Sequence, residues 1–342
     1  MKYLCATVLL VGVFGCAQPR QEKQEVPNAP KGMVFIAGGS FTQGAVAGDQ
    51  MAMAHEKPAH QVHVDGFYID IHEVTNAQFS AFVDATGYVT VAERPIDWDV
   101  LKKQLPEGTP KPADSLLQPG SLVFKQASST LPNLYDFSQW WQWKIGADWK
   151  HPQGPESSIE GKEDFPVVHI TFEDAQAYCD WAKRRLPTEA EWEFAARGTE
   201  TAAPFFWGDQ ADQLGQFANT WEGQFPVKNL AEDGFEGVAP VMQYPSNSNG
   251  LYDMAGNVWE ITSDWYGPLY YRRLADENNQ VKNPTGALQP YNTYLQEKVI
   301  KGGSFLCSAS YCASYRVSAR MAQAIDSGAE HIGFRTVLDY NN

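Results

Sequence analysis

Apolar and polar positions alternate loosely along MVFIAGGSFTQGA (33–45), with a Gly-Gly pair inside, the pattern of a short strand bending into a turn. QVHVD (61–65) and FYID (67–70) read as two more short strands. The period then lengthens. In TNAQFSAFVDATG, Phe79, Phe82 and Val83 share one helical face, Thr75 and Gln78 have capping-box spacing, and Gly87 supplies the stop. Residues 90–165 hold several prolines and the aromatic run QWWQWKIGADWKHPQGP without a sustained period, and read as a long, ordered, loop-rich excursion. A packed tryptophan buries about 150–250 Å². Trp140, Trp141, Trp143 and Trp149 therefore cannot all stay in water, and either core anchoring or the lining of a peptide groove would shelter them.

Val167–Ile170 reads as a strand, and in the helix that follows Ala175, Tyr178, Cys179 and Ala182 turn inward. Leu186-Pro187 is expected to end that helix. Thr188 with Glu191 opens another through a second capping box, stopped by Gly198. Beyond residue 200 the helical pattern almost vanishes, and Gly, Asn, Asp and aromatic residues dominate. Such turns have few backbone partners of their own, so ions, water or side chains must satisfy their polar groups. Asn219, Asp233, Asp253 and Glu260 offer hard oxygen donors suited to calcium, although no EF-hand spacing is present and ordinary turns are the alternative.

The N-terminus changes the picture of where such a domain works. MKYLCATVLLVGVFGC (1–16) has one lysine and then an apolar run too short to span a bilayer as a mature helix, which reads as a signal peptide. Its Val13–Cys16 ending resembles a bacterial lipobox, so Cys16 would be acylated and become the new N-terminus. Residues 17–32 are polar and proline-bearing, a flexible tether to one domain over 33–338. The expected location is a bacterial membrane, lipid-anchored on its periplasmic or cell-surface side. The net charge of −15, with 26 Lys plus Arg against 41 Asp plus Glu and no basic block, argues against nucleic acid as a partner.

Loss of Cys5 and use of Cys16 leave Cys179, Cys307 and Cys312, so at most one internal disulfide can form. Cys307 and Cys312 lie five positions apart in GGSFLCSASYC. Two soft thiolates without a convergent histidine or carboxylate suit Cu(I), whereas structural zinc takes four ligands. A disulfide and inert thiols are the other readings of the same pair. The seven histidines show no metal-ligand spacing, and His169 reads as a satisfied core residue.

Taken in order, MVFIAGGSFTQG, FYIDIHEVTNAQFSAFVDATGY, ADWKHPQGPESSI, PVVHITFEDAQAYCDWAKRRLPTEAEWEFAARG, ANTWEGQFP, EDGFEG, GLYDMAGNVWEITSDW, KGGSFLCSASYC and IGFRTV resemble the formylglycine-generating enzymes, or sulfatase-modifying factors. LPTEAEWE with GNVWE marks the superfamily, and the cysteine pair marks its catalytic branch. The resemblance implies an α+β fold, a single compact C-type-lectin-like domain with little regular secondary structure. It also implies two structural Ca2+ sites, one at Asn219, Thr220, Asp233 and Phe235, the other at Asp253, Gly256, Val258 and Glu260. Thr220, Phe235, Gly256 and Val258 would ligate through their carbonyls. Cys307 and Cys312 would hold Cu(I), Ser304 would hydrogen-bond the oxygen species, Trp259 would wall the pocket, and Arg320 is expected near it. The implied reaction oxidises the cysteine of Cys-X-Pro-X-Arg in an unfolded or nascent sulfatase to formylglycine, using dioxygen and a thiol reductant. Two departures stand out. Cysteine pairs of vertebrate relatives are missing here, Thr336 standing opposite Cys179 and Ala196 opposite Val317, and Ile261 replaces a frequent tryptophan. A non-catalytic lipoprotein scaffold or ligand-binding module, and a lectin-like glycan binder, are the rival readings of the same fold.

Overall fold

A turn at Gly38-Gly39 splits the first apolar stretch into two strands that enter different sheets. The computed structural model describes residues 29–277 and 280–340. The expected signal peptide, its Cys16 and nearly all of the expected tether lie outside the described residues. Among those described, no helix is long and apolar enough to cross a membrane. In chain order the strands are β1 (Met33–Ile36), β2 (Gly39–Gln43), β3 (His60–Val64), β4 (Phe67–Asp70), β5 (Gly120–Phe124), β6 (Trp141–Ile145) and β7 (Gly223–Gln224). They continue with β8 (Lys228–Asn229), β9 (Trp259–Trp265), β10 (Val281–Lys282), β11 (Glu297–Lys301), β12 (Met321–Ala324), β13 (Ile332–Gly333) and β14 (Val337–Asp339). The helices are α1 (Asn76–Thr86), α2 (Trp98–Leu101), α3 (Phe172–Ala182), α4 (Glu189–Arg197), α5 (Leu214–Phe217) and α6 (Tyr270–Asp276).

Sheet orders are β1-β4-β14, β10-β3-β2 and β12-β11-β9-β13, with β5-β6 and β7-β8 as separate hairpins. The three longer helices start as their sequences require. Thr75, Thr171 and Thr188 each accept the N3 amide, and the N3 side chain reaches back to the cap in all three. α4 packs against β2, β3, β9 and β11, and this places it under the longest strand of the molecule. The main core gathers Phe79, Tyr178, Trp192, Trp259, Cys307 and Phe334; a smaller aromatic core holds Trp140, Trp221, Phe225, Phe305 and Leu306.

Three elements differ from the sequence reading. Val167–Ile170 is not a strand, because His169 turns the chain at φ 62°. Val74 and Ala329 carbonyls take the amides of Val167 and His169 instead. α3 ends at Lys183, in the left-handed region, before Leu186-Pro187 is reached. The excursion over 90–165 contains the unpredicted hairpin β5-β6, whose outer residues Trp143 and Ile145 stay exposed, so no clean alternation marks it. Cys179 is a buried free thiol, as the inward face of α3 implies.

Candidate active site

β11 ends at Lys301, a wholly buried ammonium paired with Glu193 of α4 at 3.1 Å. The chain then turns through Gly303 at φ 77°, where an added Cβ would sit 2.9 Å from the Ser314 backbone. That close approach folds the 304–314 loop back on itself. Within it, Cys307 donates its amide to the Ser304 carbonyl at 2.8 Å, and the Ser304 amide donates to Cys307 Sγ at 3.4 Å. Cys312 and Ala313 both donate to the Ser308 carbonyl, a tight turn that brings the second cysteine round to the first.

Neither thiol is in a disulfide, and the two are near enough that each shifts the ionisation of the other. Cys307 is buried and Cys312 half-buried. Cys307 brings Cys312 down to about 7 against the opposing effect of burial, while burial first and Cys312 second push Cys307 well up. Of the two, Cys312 is therefore the one favoured as the thiolate. Such a pair offers two soft donors on one loop. Among the described residues no third histidine, cysteine or carboxylate completes a larger metal cluster. The donor set therefore fits a two-coordinate soft monovalent ion and does not fit structural zinc.

Aromatic side chains enclose the loop. Tyr311 stacks on Phe225 at 4.5 Å and meets Trp140 edge-on, and the Trp221 amide donates to the Cys307 carbonyl at 3.0 Å. Trp221 and Phe305 also line a cleft of about 510 Å³ whose polar wall includes Gln153, Lys162, Glu236 and Glu330. Burial raises Glu330 to about 7 even though Gln153 and the Phe124 amide both donate to it. Trp259 is buried in the same core cluster as Cys307 and starts β9, its amide donating to the His331 carbonyl at 2.8 Å.

His331, which no linear spacing singles out, comes to this site. Its Nδ1 lies 3.3 Å from Ser304 Oγ and its ring meets Trp141 at 4.7 Å. His169 is satisfied as expected, Nδ1 on Ser121 and Nε2 on the Pro152 carbonyl. Arg320 does not join the cysteines. Its guanidinium is held by Glu189 at 2.6 and 2.8 Å and by the carbonyls of His55 and Gly267, because a buried cation needs a carboxylate and α4 supplies one.

The expected calcium residues form two adjoining groups, since Asn219 and Gly256 make a backbone bridge and an added Cβ on Gly256 would collide with the Asn219 carbonyl at 2.1 Å. In the first, Asn219 Oδ1 and Thr220 Oγ1 are buried without a partner. Asp233 accepts the amides of Thr220 and Phe235. In the second, Asp253 Oδ1 is likewise unpartnered, and beside it stands Glu73, whose Oε2 is also orphaned. Burial is the main cause that raises both carboxyls, Asp253 to about 6. Unsatisfied buried oxygens of this kind fit a hard cation. Glu260 departs from its expected role. Arg335 donates to both of its oxygens and Trp192 Nε1 to one, so its charge is already compensated. Glu73 lies 180 residues from Asp253, and no sequence spacing links the two.

Comparison with known proteins agrees with this geometry. The description "Sulfatase-modifying factor enzyme 1-like domain" fits residues 17–340. The chain is similar to formylglycine-generating enzymes; that of Mycobacterium tuberculosis is 42% identical over 308 residues, covering 90% of this chain and 97% of that protein. It is also 35% identical to the "Inactive C-alpha-formylglycine-generating enzyme 2" of Mus musculus, over 98% of this chain and 93% of that protein. Among solved structures, PvdO from Pseudomonas aeruginosa shares the fold at a TM-score of 0.60 and 22% identity, over 89% of this chain and 93% of that one. The chain therefore belongs to the sulfatase-modifying factor, or formylglycine-generating enzyme, family.

Proposed function

We propose that this protein oxidises a cysteine of a sulfatase polypeptide to formylglycine, with Cys307 and Cys312 as the reacting pair. The observation that carries the reading is that Cys307 and Cys312 are free thiols brought together on one loop, each shifting the other's ionisation, and that Phe305 of the same loop lines a cleft with Trp221. Family membership alone does not carry it, since one relative is named inactive. The net change converts the substrate thiol R–CH2–SH, dioxygen, two electrons and two protons to the aldehyde R–CHO, hydrogen sulfide and one water. Two of the four electrons that reduce dioxygen leave the substrate carbon, and a thiol reductant supplies the other two.

Cys307 and Cys312 would hold Cu(I), which supplies the one-electron and oxygen chemistry that side chains lack. The protein's own part is positional. Ser304 holds Cys307 through its amide, and the Ser308 turn holds Cys312. Trp140, Phe225 and Tyr311 exclude water beside the loop. The cleft lined by Trp221, Phe305 and Glu330 has the mixed apolar and polar walls that an extended Cys-X-Pro-X-Arg segment needs. Calcium at the Asn219 and Asp253 groups would serve as a fold-stabilising ion, its support being the orphaned oxygens. Export and lipidation at Cys16 complete the proposal, supported by the apolar N-terminal run; the partner sulfatase would then be met outside the cytoplasm.

The test is co-production with a sulfatase that carries the motif, followed by labelling of the purified sulfatase with an aldehyde-reactive hydrazide. Labelling is expected with the native chain and none with Cys312→Ser. Equal labelling in both would overturn the assignment.

A further inference from the structure

Ser304 is wholly buried, and its hydroxyl oxygen accepts the Leu306 amide at 3.3 Å. A buried hydroxyl must also place its proton on an acceptor or lose about 1–3 kcal/mol. Among the described residues the one acceptor recorded for it is Nδ1 of His331 at 3.3 Å. Resting on the proposed activity, we infer that His331 is a positioning residue for that reaction: its Nδ1 accepts the Ser304 hydroxyl proton and so locks the Ser304 amide onto Cys307 Sγ. The imidazole must then be the neutral Nε2–H tautomer.

Three observations support the lock. The His331 loop is fastened to β5, with the Glu330 amide on the Leu122 carbonyl at 3.0 Å and the Glu330 carboxylate on the Phe124 amide at 2.9 Å. The ring itself is braced by Trp141, and its backbone carbonyl takes the amide of Trp259. Burial, with His169 nearby, holds His331 down at about 3, which favours the neutral ring that this bond needs. In this arrangement the Ser304 hydroxyl proton is directed at His331. Ser304 acts on the site through its amide.

Two readouts test this. In protein carrying 15N-histidine, the His331 resonances should show a protonated Nε2 and a hydrogen-bonded, unprotonated Nδ1. Ser304→Ala should move Nδ1 toward a free imidazole nitrogen. A protonated Nδ1, or no movement, overturns the inference, and this readout does not depend on turnover. In the peptide assay, His331→Phe keeps the ring against Trp141 but removes the nitrogen, and should lower kcat about ten- to a hundred-fold with KM unchanged. His331→Asn retains an acceptor and should restore kcat to within about threefold of the native value. In a Ser304→Ala background His331→Phe should have no further effect. A native kcat in His331→Phe, or the same loss in both backgrounds, contradicts the lock. A native chain that binds peptide but forms no aldehyde removes the proposed function and leaves the spectroscopic result standing.

Discussion

α1, α3 and α4 each open on a threonine that caps its own N3 amide, so these three helices draw their starts from neighbours within four residues. The chain after residue 200 draws on partners far away. Arg316 reaches Glu56 and Asp49, Arg320 reaches Glu189, and Lys301 reaches Glu193, all buried. Arg335 alone among these cations takes its carboxylate, Glu260, from its own half. Where the chain lacks helix ladders, buried charge pairs and orphaned oxygens take over its polar bookkeeping. The difference teaches that the cysteine loop is held in place from outside itself, through Lys301 of β11 paired with Glu193 of α4 and through His331 on the loop after β12.

That contrast can be broken at its strongest point first. Arg335→Leu strands the Glu260 carboxylate inside the protein and should cost about 3–5 kcal/mol in urea unfolding. The pH dependence comes next. Burial and then Glu189 raise Asp264 from 3.8 to about 7. The folded state therefore binds its proton more tightly than the unfolded state does. Its contribution is full below about pH 4 and is lost as pH rises through about 7, at most roughly 4 kcal/mol. Asp264→Asn should flatten that part of the stability profile. His169, lowered to about 4 mainly by burial, has the opposite sign, its contribution being present above about 6.5 and lost as pH falls toward 4.

Chelation sharpens the comparison further. If the Asn219 and Asp253 groups hold calcium, its removal should lower stability by about 2.7 kcal/mol for a site previously at a hundred times its Kd. Amide exchange should quicken around 253–260 and not in α1. The smallest effect belongs to the self-capped helices, where Thr188→Ala should cost about 0.5–2 kcal/mol in thermal unfolding.

The same contrast explains what the sequence made legible. Thr75 with Gln78, Thr188 with Glu191, and the glycines behind them announced α1 and α4 because caps act over four residues. The hairpin β5-β6 escaped because Trp140 and Trp141 are adjacent apolar residues while Trp143 and Ile145 face solvent. α6 also escaped, because it is only two turns long and is fixed by tertiary contacts of Tyr271 with Glu189 and His60. The cysteine pair was legible from GGSFLCSASYC, since its two thiols are brought together by local turns. His331 and Glu73 were not. Each reaches its group from a distant segment, and only the packed fold makes them neighbours of Ser304 and Asp253.

The most direct measurement is the mass of a Cys-X-Pro-X-Arg peptide after incubation with the purified, Cu(I)-loaded protein, dioxygen and a thiol reductant. The account predicts conversion of the cysteine side chain to an aldehyde, absent with Cys307→Ser and with Cys312→Ser. An unchanged peptide with the native protein, under copper loading confirmed by metal analysis, would contradict it.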